Sequence, residues 1–388
     1  MLKPLIWELP GLNAQIALKD KGGLPFGRKN MKSAKLSIIK PLSLIALSFS
    51  LIFSLIGCQL SSFTSGAEDS SGGKGDSPSS DETQGTGSSS TPDEPKKPLF
   101  YNRYTGLACD ETLSSCRPVS ICTLNSFQGS ATGLSYADIL IEAPTGDSSR
   151  LFALITNREA VEKVGSIADA KDYMLPLLDA FESVSVTQNS VSGTDRPSIQ
   201  STDQALSDFF FSEGGRQYTS GGLLLQAAES KGIPLTHSAS PLPFVFSATR
   251  PYIPSGNSIQ FISYSYTDGK TVSFSYDSVS GTYLRAQNGM LHTDAYSGTP
   301  LAFTNVILLF HNVNYYHTPD GTSYTIDAHA GGSGFCYTGG GVISINWGYD
   351  GDGVLRFTDS KGAPLTLNPG KTAISMLRVT DSTTVVAK

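Results

Sequence analysis

Between Gln59 and Lys97 the chain is built mostly of Ser, Gly, Thr, Asp, Glu and Pro, and Phe63 is the only aromatic residue there. Such a segment cannot bury enough apolar surface to offset the entropy lost on ordering, so it reads as a flexible tether. This one feature confines any folded body to Pro98–Lys388, which is 291 residues and enough for two ordinary domains. As a coil, the tether of 39 residues spans about 35 Å r.m.s..

Upstream of the tether stands an export pattern. Lys32, Lys35 and Lys40 precede an apolar run from Leu42 to Ile56, and Leu55-Ile56-Gly57-Cys58 has the form of a lipobox. The run is shorter than the roughly 20 residues of a membrane span, and an uncleaved anchor needs no cysteine at its end. Residues 31–57 are therefore read as a lipoprotein signal peptide and Cys58 as the lipidated first residue of the mature chain. Palmitate and a second acyl chain on one cysteine hold a protein on a bilayer stably. Residues 1–30 have no part in this scheme and are read as an upstream extension, with Met31 as the start. The expected location is extracytoplasmic, lipid-anchored on the outer face of the cell membrane.

Residues 1–57 carry eight Lys/Arg and two Asp/Glu, so their removal takes the net charge from -6 to -12. Nucleic-acid recognition begins with a basic patch, so no DNA or RNA partner is expected.

The fold class expected is α+β. In residues 98–240, strand-like runs at Val119–Leu124, Asp138–Ala143, Arg150–Thr156 and Val184–Thr187 alternate with helical patterns. The helical patterns are Ile167–Phe181, interrupted by Pro176, and Leu223–Ser230, with Ser220 as N-cap. That mixture indicates a mixed α/β domain. In residues 241–388 the pattern turns to strands. Ile259–Tyr266 and Thr271–Tyr276 alternate around Asp268-Gly269, with further turns at Ser280-Gly281, Asn288-Gly289, Pro319-Asp320-Gly321 and Lys361-Gly362. This spacing indicates a mainly antiparallel β domain.

Several short motifs recur in a fixed order along this body. The N-terminal half has Tyr104-Thr105-Gly106-Leu107, Arg117-Pro118-Val119, Gly133 through Glu142, and Arg150-Leu151-Phe152-Ala153-Leu154. The C-terminal half has Tyr276-Asp277, Gly281-Thr282-Tyr283-Leu284-Arg285, His292-Thr293-Asp294, Asn305-Val306, Gly332-Ser333-Gly334, Trp347 and Leu367 through Thr372. In that order they resemble the YerB-like lipoproteins of Gram-positive bacteria, over about Tyr101 to Val379. The resemblance implies a two-domain lipoprotein whose halves are each domains of unknown function, and it implies no reaction. The chain departs from the family pattern where Gly165 through Lys171 replaces a stretch with two arginines, and where Ala373 replaces a tryptophan. Only Lys171 remains at the arginine positions, and a lysine cannot make the same planar fork with an anion.

The residues that can carry chemistry are few. Glu142 and Arg150, with Asp138, fall on two neighbouring strands, where an acid and a guanidinium can meet as a polar pocket or as a structural ion pair. His292 and Asp294 are two apart and share a face if they lie on a strand, as do Tyr283 and Arg285. That set could grip a glycan or peptide, or His292 with Asp294 could act as base or metal ligand, with Asp327, His329 and Cys336 as further donors. The order His311, Cys336, Arg356 has the residue types of a Cys–His–Arg transpeptidase without its surrounding signature, and an inert buried thiol is the simpler reading. Asp350-Gly351-Asp352-Gly353 lacks the further carboxylates of a calcium loop. Gly339-Gly340-Gly341 precedes a strand, so it does not set a helix N-terminus on a phosphate. No metal or cofactor is expected. Cys109 and Cys116 flank a short polar segment and can close a local disulfide, with Cys122 as an alternative partner.

Two functions remain in view. The first is a non-catalytic module that binds a cell-wall component, small ligand or protein partner. The second is a cell-envelope hydrolase or transferase using His292 and Asp294.

Overall fold

A computed structural model describes residues 99–388, apart from 126–130, 146–148, 191–195, 239, 249–251, 255, 257, 267–268, 319–320 and 328. Residues 31–57, Cys58 and 59–97, read above as signal peptide, lipidation site and tether, lie outside the described residues. Pro95–Lys388 clusters as one compact unit.

In the N-terminal half, four strands of the large sheet form where apolar and β-branched residues run together, β1 (Val119–Leu124), β2 (Ile139–Pro144), β3 (Ser149–Ile155) and β4 (Val184–Thr187), and the short β5 (Ser198–Gln200) adds to its edge. The longer helices beside them are α1 (Leu175–Asp179) and α2 (Gly221–Ser230). The Ser220 side chain accepts from Leu223 N and starts α2, as its position predicts. The longer helical pattern from Ile167 is confined to α1 and the 3-10 turn Asp172–Met174 before it. Ile167 and Ala168 are instead extended, their amides donating to Gln217 O and Cys122 O. Pro176 begins α1 rather than breaking it, because a first-turn N–H has no intrahelical partner to lose. The body is consequently mostly strand, and the α+β expectation holds only loosely.

The C-terminal half adds β6 (Phe261–Ser265), β7 (Thr271–Asp277), β8 (Thr282–Gln287), β9 (Met290–Leu291) and β10 (Asn305–His311). A hairpin follows, β11 (Val313–Thr318) and β12 (Gly321–Ile326), then β13 (Gly332–Thr338), β14 (Gly341–Tyr349), β15 (Leu355–Asp359), β16 (Thr372–Arg378) and β17 (Val386–Ala387). The β6–β7 hairpin sits where the alternation predicts it, Ser265 opposite Thr271. Gly269 has φ +80°, while Asp268 lies outside the described residues, as do Pro319 and Asp320. Asn288 and Gly289 both have positive φ (+50° and +78°), the backbone of a type I′ turn between β8 and β9.

Ten strands from both halves make one sheet, in the order β15–β14–β13–β10–β16–β2–β3–β1–β4–β5. The last long strand, β16, runs parallel to both neighbours, pairing with β10 on one side and β2 on the other. Every residue of β10 and β16 is buried. A strand covered on both faces reads as a continuous apolar run without alternation, and Val306–Phe310 does so. On one face, Leu140, Ala153, Val306, Leu308 and Leu377 pack with α2 and with a smaller sheet, β9–β8–β7–β6–β17. On the other, Ile141, Phe152, Ile307, Leu309 and Met376 pack with α1, Phe181, Phe244 and Phe357. The first face holds the polar cluster described next.

Candidate functional site

Glu142 occupies an inward position of β2 beside Leu140, so it faces the smaller sheet rather than solvent. A carboxylate there must be paired or it will not remain ionised. Its partner is Arg285 of β8, 143 residues away: Nη2 donates to Oε2 at 2.8 Å, and both side chains are 1–3% exposed. The other oxygen, Oε1, accepts from Asn125 Nδ2 at 2.7 Å and from Ser149 Oγ at 2.9 Å. Tyr264 of β6 donates to Oε2 at 3.3 Å and also contacts Ser375 Oγ at 2.7 Å. Ser375 stands opposite Glu142 in the β16–β2 register.

Arg285 turns its second nitrogen, Nη1, to Gln287 Oε1 at 3.4 Å and to His292 Nδ1. A guanidinium can only donate, so Nδ1 is the unprotonated nitrogen and the neutral imidazole carries its proton on Nε2. Burial, then the Arg285 charge, pushes the His292 pKa down to about 3. Burial alone would lower Arg285 as well, but Glu142 beside it reverses the effect and leaves its pKa above the ordinary arginine value. Burial and the Glu142 charge hold the Tyr264 and Tyr266 hydroxyls well above theirs, so both stay protonated.

Of the residues singled out in the sequence, three converge: Glu142, Arg285 and His292. Tyr283 shares the inward face of β8 with Arg285 but belongs to another contact. Its hydroxyl accepts from Gly340 N at 3.1 Å and its ring lies 4.8 Å from that of Tyr276. Asp294 is buried yet separate from the imidazole. Its carboxylate accepts from Ser135 N (2.8 Å), Ser135 Oγ (2.9 Å), Tyr296 N (2.9 Å) and Ser297 N (3.2 Å), ordering a turn. Arg150 and Lys171 meet on neither of these: both pair with Asp169, at 2.6 and 3.5 Å, on a half-exposed edge. Asp138 is held by Thr156 N and Oγ1 at 2.9 and 2.6 Å.

The other candidate chemistry separates as well. Cys336 is fully buried and its thiol is raised by that burial, while His311, whose ring is tilted against that of Trp347 with centroids 4.3 Å apart, is pushed by burial down to about 3. Arg356 pairs with Asp350 at 2.9 Å, and the Asp350 carboxylate also accepts from Asp352 N and Val354 N, which makes the acidic stretch an ordinary turn. Among the described residues, no group of three or more His, Cys, Asp or Glu could hold a metal. Cys109 and Cys116 are free thiols here; Cys116 donates to Thr112 O at 3.3 Å and accepts from Arg158 Nη2 at 3.5 Å.

Sequence reading missed Asn125, Ser149, Tyr264, Gln287 and Ser375. The usable signal was a polar residue inside a buried strand, as Ser375 is within Ala373-Ile374-Ser375-Met376-Leu377.

Comparison with known proteins finds family matches in both halves of the chain. Residues 104–232 match the family model described as "Protein of unknown function (DUF3048) N-terminal domain", and residues 262–374 match the corresponding C-terminal domain. The chain belongs to the DUF3048 family. Glu142 lies in the first matched region, Arg285 and His292 in the second. A relative in Bacillus subtilis, described as "Putative lipoprotein YerB", is 27% identical over 307 residues, covering 76% of this chain and 90% of the relative. The crystal structure of YerB protein from Bacillus subtilis superposes with a TM-score of 0.61 at 25% identity, covering 74% of this chain and 99% of that one. No helix of the described residues is long and apolar enough to cross a membrane.

Proposed function

We propose that this DUF3048 protein is a membrane-anchored extracytoplasmic lipoprotein, tethered through Cys58, that serves as a non-catalytic binding module for a cell-envelope ligand or partner. The relative's description as a lipoprotein supports the anchoring. One observation carries the non-catalytic reading. The residues richest in chemistry, Glu142, Arg285 and His292, are buried and engaged with one another and with neighbouring strands. Groups closed off in this way cannot reach a substrate; they clamp the smaller sheet onto the large one. His292 and Asp294 have different partners, so neither tunes the other as a base.

The test is incubation of the full chain with purified cell walls. Retention on the walls without release of soluble fragments is expected. Wall cleavage that His292→Ala abolishes while melting stays near native would overturn the reading and reinstate the hydrolase.

A further inference from the structure

Two of the open grooves among the described residues differ in chemistry. One, of about 550 Å³, is lined by Arg117, Arg196, Asp179 and Glu182 among others. Its charged groups already have partners within the fold: Arg196 pairs with Asp179, Arg117 donates to the Glu182 backbone carbonyl, and the Glu182 carboxylate accepts from Ser238 N and Ser240 N. The second, of about 560 Å³, lies over the turn joining β13 to β14, and none of its described lining residues is charged.

Glycine shapes that second groove. Gly339 and Gly340 have φ +56° and +77°. A Cβ on Gly339 would meet Tyr252 O at 2.5 Å, one on Gly340 the Tyr276 ring at 2.8 Å, and one on Gly341 Pro254 at 2.9 Å. Only a bare backbone fits, so the turn packs directly against the Tyr276 ring. Tyr283 supports that ring from within, at 4.8 Å. The Tyr276 hydroxyl and the Ser278 hydroxyl have no hydrogen-bond partner among the described residues, and Gln260 is exposed beside them. Val279 and Ile253, both lining the groove, are aliphatic side chains 95% and 62% exposed.

A fixed aromatic ring, two free aliphatic groups and a few neutral hydroxyl and amide groups match a ligand with C–H faces and a rim of hydroxyls. The absence of lysine and arginine from the described lining argues against a phosphate or carboxylate ligand, on a mature chain already at -12. We propose that this groove binds a neutral glycan, with a sugar ring laid on Tyr276 against Val279. The proposal rests on the binding-module reading and names its ligand class and place.

The test is calorimetric titration of the full chain with a β-1,4-linked tetramer of N-acetylglucosamine, with polyglycerol phosphate and a capped trialanine peptide as comparisons. Val279→Asp places a charge on a side chain that packs against nothing, and Tyr276→Phe removes only the hydroxyl. Saturable binding of the tetramer is expected, weakened about fivefold or more by Val279→Asp and about two- to fivefold by Tyr276→Phe, the scale of one contact or hydrogen bond. Melting temperatures should stay at the wild-type value. Equal binding by both variants, or capped peptide displacing the tetramer, overturns the glycan assignment. Wall retention that persists without tetramer binding also overturns it while leaving the binding-module reading intact. Wall cleavage would strike that reading instead.

Discussion

Replacing Arg285 with Met should destabilise the body sharply, because it strands Glu142 in a site 2% exposed with no countercharge. Breaking a buried ion pair by removing one partner costs about 3–5 kcal/mol. With an unfolding entropy near 2.1 cal/mol/K per residue, a body of 291 residues loses about 5–8 °C in Tm. Removing both charges, as Glu142→Leu with Arg285→Met, should cost less than the two single losses added. It will not be free, because Asn125 Nδ2, Ser149 Oγ and Tyr264 Oη lose their acceptor, at about 1–3 kcal/mol for unsatisfied donors. A coupling energy of about 2–3 kcal/mol is expected. Urea titrations followed by the fluorescence of Trp347, the one tryptophan after residue 57, provide the measurement. Strict additivity of the two single variants, or a loss below about 1 kcal/mol for Arg285→Met, would show that the pair does not clamp the sheets and refute the reasoning.

His292 and His311 are held neutral in the fold with pKa values near 3 against about 6.5 unfolded, so below pH 6.5 the unfolded chain takes up protons that the folded chain refuses. Their stabilisation is complete above pH 6.5 and lost as pH falls toward 3, roughly 2–3 kcal/mol per histidine by pH 4.5. His311→Phe should flatten the Tm–pH curve in that window, and an unchanged slope would count against it. Cys58→Ala should release the protein from the membrane fraction; unchanged retention and processing argue that the anchor lies elsewhere. A chain starting at Pro98 should fold with native melting, and limited proteolysis of the longer chain should cut first within 59–97. Under oxidising conditions Cys109, whose thiol is raised by burial, then by Asp110 and the neighbouring Cys116, should form a disulfide with Cys116 worth about 2–3 kcal/mol, seen as a linked peptide in a non-reducing digest. Two separate free thiols in such a digest exclude it.

Much of the architecture could be read from local pattern. Val119–Leu124 and Val184–Thr187 are strands to the residue, and Ser220 starts α2 as a capping serine should. What failed was periodicity over Ile167–Phe181, where apolar residues at helical spacing begin in extended chain. Their amides go to Gln217 and Cys122, partners that no local window contains. The sheet order was equally hidden. β16 enters the centre of the large sheet beside β2, more than 200 residues earlier, and no turn signal announces a parallel pairing made across such a distance.

The site was legible only where a residue contradicted its own strand. A glutamate within Ile139-Leu140-Ile141-Glu142-Ala143 and an arginine in an inward position of β8 each demand a partner, because an unpaired buried charge would neutralise or unfold its surroundings. That each is the other's partner depends on the small sheet lying over the large one, which is long-range geometry. His292 and Asp294 show the converse. Period-two spacing places both on one face only in a regular strand, and here they follow β9 in irregular chain, so one turns to Arg285 and the other to Ser135. The tyrosines divide in the same way: Tyr264 seals the buried pair, whereas Tyr276 is partly open over the glycine turn and lines a groove. Buried polar groups thus join the two sheets, and at Tyr276, where the surface is neutral and half-exposed, no such pairing closes the ring off.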